Sequence, residues 1–245
     1  MTRRVGAAAI VLTLAVASAG AIAATGSGGA GAAAQKTPIE YEDHELFIET
    51  NAPDGDAGLQ MFLDGEDWDT FKLIDPKGRE VMMRARTNGS LRGWGLTELF
   101  WEAAEPEFGE IPFSRFKKRF PEGRYRFKGR TVEGRELVSA ERLSHLIPDG
   151  PVITSPTKGE AVNPDDFTVS WEPVTTPAGV EIERYVVIVV QETLGRELSV
   201  DLAPDATSLS VPPEFLSPDP DTKVEVLARD VTGNQTITEV PFKLE

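Results

Sequence analysis

The sequence predicts an all-β chain of two tandem β-sandwich modules, the first carrying a short helical insertion at about 94–120. Three observations lead there. Short runs of β-branched and aromatic residues recur along the chain, each bounded by Gly, Pro, Asn or Asp. The Pro148-Asp149-Gly150-Pro151 joint separates 40–149 from 151–245, and each piece holds its own aromatic and β-branched residues. The 245 residues include no cysteine, so stability has to come from packed cores, which favours domains of about 100 residues over disulfide-stapled miniatures.

An export address precedes the modules. Arg3 and Arg4 stand ahead of an unbroken run of small and apolar residues at 5–24, the pattern of a secretory signal peptide. Ala21-Ile22-Ala23 offers a cleavage site, and Ala32-Ala33-Ala34 a later one; residues 25–39 read as a flexible Gly/Ala-rich linker. The competing reading is an uncleaved N-terminal membrane anchor, since twenty apolar residues can just span a bilayer. Alanine and glycine make the run weakly hydrophobic, and no basic stop-transfer cluster follows it. The expected location is therefore secreted or periplasmic, with no stable membrane insertion after cleavage.

The second module reads as seven short strands, at 152–154, 167–171, 185–190, 197–202, 208–211, 223–230 and 235–243. Phe167, Val169 and Trp171 alternate onto one face, and 185–190 is too β-branched to favour a helix. Seven strands with a turn every 8–12 residues are expected of an immunoglobulin-like sandwich. Val169-Ser170-Trp171-Glu172-Pro173-Val174, Ile182-Glu183-Arg184-Tyr185-Val186 and Val226-Leu227-Ala228-Arg229-Asp230 with Gly233-Asn234 together resemble a fibronectin type III domain over 151–245. The resemblance implies Trp171 on the second strand, Tyr185 on the third, and Trp171, Tyr185 and Val226 as structural core. It departs at Thr222, where the family's corner tyrosine is missing, so that corner needs another hydrogen-bond source. The adhesive Arg-Gly-Asp tripeptide is also absent.

In the first module, 46–50, 59–63, 68–74 and 80–86 read as strands, with a turn at 75–78. A hairpin follows at 123–132 and 135–146, around Glu133-Gly134. Pro121-Glu122-Gly123-Arg124-Tyr125 resembles the approach to a corner tyrosine, an immunoglobulin-like feature. Leu96, Leu99, Phe100 and Ala103 fall at helical spacing, as do Phe113, Phe116 and Phe120, which predicts the helical insertion.

The residue inventory excludes much chemistry. Net charge of −15 counts against nucleic acid and anionic membrane as partners. No nucleophile elbow and no phosphate-binding glycine loop occurs, and the two histidines, His44 and His145, lie on different elements. No enzyme activity and no cofactor is expected. Asp54, Asp56, Asp64 and Asp67 are weak calcium candidates whose spacing matches no EF-hand loop; turn chemistry is the simpler reading. Residues 40–69 hold eleven acids and no Lys or Arg, while 115–135 hold nine bases and two acids. A basic stripe suits an acidic glycan or another acidic partner, but pairing across adjacent strands that neutralises both runs internally is the favoured reading. Seven of the nineteen aromatics fall within 94–120, either as a satellite core or as a binding surface. For the surface reading, Trp94 and Trp101 with Arg115, Lys118 and Arg119 are the candidate binding residues, Trp101 lying off the helix's apolar face. The expected function is an exported, non-enzymatic protein that binds a protein or glycan at the cell surface or envelope; the alternative is a carbohydrate-binding accessory module, and a carboxylate-dependent hydrolase lacks any supporting motif.

Overall fold

The computed structural model describes residues 37–81, 85–219 and 221–245. The expected signal peptide, and the expected linker as far as residue 36, lie outside the described residues.

The first module contains β1 (Asp43–Asn51), β2 (Asp56–Ile74), β3 (Ala85–Arg86), β4 (Leu96–Glu102), α1 (Phe113–Arg119), β5 (Gly123–Thr131) and β6 (Glu136–Leu143). The segments expected as separate strands at 59–63 and 68–74 are one strand, β2, because Asp64-Gly65-Glu66-Asp67 bends without turning. A Cβ on Gly65 would come within 3.2 Å of the Tyr41 ring, so glycine is what permits the close approach there. The first half of β2 pairs with β1 and β4, and its second half with β3 and β5, which in turn pairs with β6. One strand thereby joins two sets of neighbours, and Leu59, Met61, Leu63, Trp68, Phe71 and Leu73 all enter one core with Tyr125 and Phe127. Each such buried side chain contributes about 1.5–3 kcal/mol. Tyr125 donates its hydroxyl to the Pro121 carbonyl at 3.0 Å, which ties the start of β5 to the preceding chain as a corner tyrosine does.

The helical insertion is smaller than its sequence suggests. Residues 96–102 form β4, antiparallel to β2 with Leu63 opposite Leu99 and Met61 opposite Trp101. Only 113–119 are α-helical. The Leu96/Leu99/Phe100/Ala103 pattern fits a helix, but Leu99, Trp101 and Ala103 also alternate, and all three pack on the core beside β2. The free edge of β2 supplies backbone partners that an isolated seven-residue helix would lack.

The second module contains β7 (Val152–Ser155), β8 (Ala161–Val162), β9 (Thr168–Glu172), β10 (Ile182–Gln191), β11 (Arg196–Leu202), β12 (Ser208–Ser210), β13 (Thr222–Asp230) and β14 (Gln235–Leu244). β12, β9 and β7 form one layer, and β11, β10, β13 and β14 the other. Between them Trp171, Tyr185 and Val226 are buried in a second core, with the Trp171 and Tyr185 rings 5.5 Å apart. At the corner without a tyrosine, Thr222 donates its hydroxyl to the Asp219 carbonyl at 3.2 Å. The Asp219 carboxylate accepts from the Leu194 and Asp221 amides, so three short polar contacts hold the turn.

The modules share a sheet. β1 runs parallel to β14, with Glu49, Thr50 and Asn51 opposite Gln235, Thr236 and Ile237. Asn234, fully buried, accepts from the Ile48 amide through Oδ1 and donates through Nδ2 to the Ser144 and Leu146 carbonyls. Arg229 lies over the Phe47 ring at 4.9 Å and meets Glu45 at 2.8 Å.

Candidate binding surface

The long β2–β5–β6 sheet of the first module has one face in the core and one outside. Along β5, Tyr125, Phe127 and Thr131 point inward, leaving Arg124, Arg126, Lys128 and Arg130 on the outer face. Alternate positions on a strand are about 6.6–6.8 Å apart, so these four cations form a row about 20 Å long. Their cross-strand neighbours add charge of the same sign. Arg124 is opposite Arg142, Lys128 is opposite Lys72, and Thr70 opposite Arg130 is itself opposite Arg86. Two carboxylates share the face: Glu136 opposite Arg130, and Glu80, which meets Lys72 at 3.5 Å. Among the described residues, none of the other six cations has an ion-pair partner.

The expected pairing of the basic run with the acidic run is therefore confined to Arg135 with Glu66, at 3.2 Å. The register explains the rest. β5 lies between the second half of β2 and β6, both of which bring Lys or Arg, while most of the acidic run lies on β1 and the first half of β2. The sequence did carry a signal for this face. Arg124-Tyr125-Arg126-Phe127-Lys128 alternates charge and aromatic with period two, which on a strand puts all the charge on one side.

The candidate residues at 94–120 separate in space. Trp94 is 81% exposed, in the loop between β3 and β4. It is flanked by Gly93 and Gly95 at φ 80° and 81°, and a Cβ on Gly95 would come within 2.8 Å of Val132. Trp101 instead packs partly buried on the first core, while Phe100 lies opposite Phe62 on the other face of the sheet. The Phe108, Phe113, Phe116 and Phe120 rings follow one another at 5.1, 5.8 and 5.0 Å, tilted, stacked and edge-on in turn, and cover the same core. Arg115, Lys118 and Arg119 are exposed on α1, which leads into the start of β5. Trp101, Phe108, Phe113, Phe116 and Phe120 thus pack on the first core, while Trp94 is exposed and Phe100 faces the other side of the sheet.

The aspartates weighed as calcium ligands are spread out. Asp56 is opposite Asn51 at one end of the β1–β2 pairing and Asp64 is opposite Asp43 at the other, about 26 Å along the strand. The carboxylates that do converge are Glu49, Glu102 and Glu105, whose oxygens lie within 4.8 Å of one another. Gln60 donates to Glu49 at 2.7 Å and to Glu102 at 3.1 Å, and Gln235 donates to the other Glu49 oxygen. Burial pushes Glu49 up to about 7, aided by the Glu102 charge and opposed by the two glutamine hydrogen bonds. Burial and the neighbouring charges of Glu102, Glu49 and Asp56 push Glu105 up to about 8. The Glu105 carboxyl lies over Gly58, where a Cβ would come within 2.7 Å of it. N–H donors aimed at the cluster suit a shared proton and would repel a cation. His44 packs against Phe127 at 5.3 Å, and His145 bonds the Phe120 carbonyl at 2.8 Å, so each ring is held by a different partner.

No protein-family model matches this chain, and no curated protein matches it. Among solved structures, the two-domain fibronectin type III segment of chicken tenascin is similar over 83% of this chain and 98% of that one, at 15% identity and TM-score 0.30. The second module has a fibronectin type III-like fold. Its layers of three strands (β12, β9, β7) and four (β11, β10, β13, β14), closed over Trp171 and Tyr185, are that arrangement. An engineered protein is 20% identical over 42% of this chain and 21% of its own length, with TM-score 0.31. A 1.5-MDa bacterial ice-binding adhesin, studied for host cell surface retention, is 16% identical over 85% of this chain and 66% of that one, with TM-score 0.27.

Proposed function

We propose that this is an exported, non-enzymatic β-sandwich protein that binds at the cell surface or envelope, and that the outer face of β3, β2, β5 and β6 is the surface it binds with. The observation that carries the reading is the row of unpaired cations on β5 in a chain whose net charge is −15. Like charges directly opposite one another destabilise a sheet, so such a face is best explained by an acidic partner that neutralises it. Export rests on the basic-then-apolar pattern at 1–24. No helix among the described residues is long and apolar enough to cross a membrane.

Co-sedimentation with cell envelopes tests the reading. Saturable binding of the protein, competed by excess unlabelled protein, is expected; material that stays in the supernatant at every envelope concentration would overturn it. A second reading, a carbohydrate-binding accessory module that stacks neutral sugar, is favoured by Trp94 alone. It requires Trp94→Ala to abolish envelope binding while the salt dependence stays flat.

A further inference from the structure

We infer that the outer face of β5 is a track for a linear anionic polysaccharide, one bearing carboxylates or sulfates along its length. The inference rests on the surface-binding reading above and names the ligand class of that surface.

The shape of the charge decides between partners. Arg124, Arg126, Lys128 and Arg130 lie in a line at regular spacing, with Lys72 and Arg142 flanking it on the neighbouring strands. A folded acidic protein would need an apolar or aromatic anchor at the centre of its footprint. Among the described residues the exposed large hydrophobics are Leu91, Trp94, Val152, Leu194 and Val231, and none of them lies on the strands of this face. The same fact argues against single-stranded nucleic acid, which stacks its bases on aromatic platforms. It also argues against a membrane surface, which requires apolar side chains to insert. What remains between the cations is small or lies below the surface: Val138 opposite Lys128, Ala140 opposite Arg126, and on its other side Ile74, which is buried and offers no exposed anchor. A polymer that lies along the strand and presents repeated anionic groups meets this face everywhere along the row.

The donor chemistry agrees. Three of the four β5 cations, and Arg86 and Arg142 beside them, are arginines, whose planar fork engages carboxylate or sulfate through two parallel hydrogen bonds. The net negative charge of the whole chain does not prevent this. At physiological ionic strength charges are screened within about 8 Å, so a bound polymer feels the row beneath it more than the acids elsewhere.

The test uses immobilised polygalacturonate, dextran sulfate and uncharged dextran, with vesicles of anionic phospholipid in parallel. The protein is expected to bind both anionic polysaccharides, not uncharged dextran, and to lose affinity steadily as salt rises. Arg124→Ser/Arg126→Ser/Lys128→Ser/Arg130→Ser should weaken polysaccharide binding at least tenfold. Lys158→Ser/Arg196→Ser/Lys243→Ser, which removes comparable charge from exposed positions of the second module, should change it less than threefold. Equal losses in the two variants would reduce the effect to net charge and overturn the track. Equal binding to uncharged dextran would overturn it as well, and stronger binding to vesicles would replace it with a lipid surface. The salt titration of the unaltered protein needs no variant to fold, and salt-insensitive binding would overturn the inference on its own. If envelopes are bound while both anionic polysaccharides are not, this inference fails and the surface-binding reading stands; if neither is bound, both fail.

Discussion

Gln235, the first residue of β14, donates its side-chain N–H to Glu49 near the end of β1, across 186 residues of sequence. The bond crosses the line between the two modules. Glu49 is 5% exposed there, and its other oxygen accepts from Gln60. A carboxylate in that setting is stabilised by two donors but loses its hydration and faces Glu102 and Glu105. Burial dominates, so the site favours the protonated acid.

Stability should therefore fall as pH rises. The Glu49 carboxyl is raised from its ordinary 4.5 to about 7 in the folded protein. Between those values the folded chain binds more protons than the unfolded one, so the slope of stability against pH is negative. The contribution is intact below about 4.5 and is lost progressively up to about 7. The shift corresponds to roughly 3 kcal/mol. Thermal unfolding followed from pH 5 to pH 8 should show Tm falling, and Glu49→Gln should flatten that fall and be more stable than the parent at pH 8. An equally steep fall in Glu49→Gln would show that Glu49 does not carry the effect.

Asn234 holds the same junction through backbone. Its side chain satisfies the Ile48 amide and the Ser144 and Leu146 carbonyls, all from the first module or the joint. Asn234→Ala leaves those groups without that partner, at about 1–3 kcal/mol for each one that stays dry. Because each module has a core of its own, the loss should separate the modules before it unfolds them. Calorimetry should then resolve two transitions in Asn234→Ala where the parent shows closer coupling. Residues 151–245 expressed alone should unfold cooperatively; a loosely packed, dye-binding product would count against separate modules.

The second module was legible because its strands announce themselves locally. Phe167, Val169 and Trp171 alternate onto one face, and residues 185–190 are β-branched on both faces, as a central strand requires. The junction was not legible, since parallel pairing of β1 with β14 joins residues far apart and leaves no periodicity in either segment. The basic face lay between these cases. The alternation at 124–130 specifies which side chains point outward, but only the pairing of β5 with Lys72 and Arg142 shows that they stay unneutralised. Helical spacing misled at 96–103, where two periods fit the same apolar residues and the free edge of β2 selected the strand.

That choice of period has a consequence for two adjacent residues. As a strand, β4 turns Trp101 toward the core opposite Met61 and Phe100 away from it opposite Phe62. A helix would have done the reverse. Trp101→Ala should cost about 2–3 kcal/mol, below the range for a fully buried tryptophan because the ring is only partly buried, and Phe100→Ala about 1 kcal/mol. Urea unfolding of the two variants decides it, and a larger loss for Phe100→Ala would restore the helical geometry.

The last expectation connects stability to binding on β5. Arg124 and Arg142 are directly opposite on neighbouring strands, as are Lys128 and Lys72, and like charges in that arrangement repel. Replacing one member with an acid converts a repulsive pair into an attractive one. Arg142→Glu should therefore stabilise the protein by about 0.5 kcal/mol at low salt, within the range of exposed charge pairs. The gain should vanish near 1 M salt, where screening reaches about 3 Å. The same substitution places a carboxylate beside the proposed polyanion track, so it should weaken binding to polygalacturonate while it strengthens the fold. A face arranged only for stability would not respond with opposite signs. If Arg142→Glu leaves stability unchanged at low salt, the cations of β5 are too well hydrated to repel one another; if it stabilises the fold and leaves binding intact, the polymer does not reach β6.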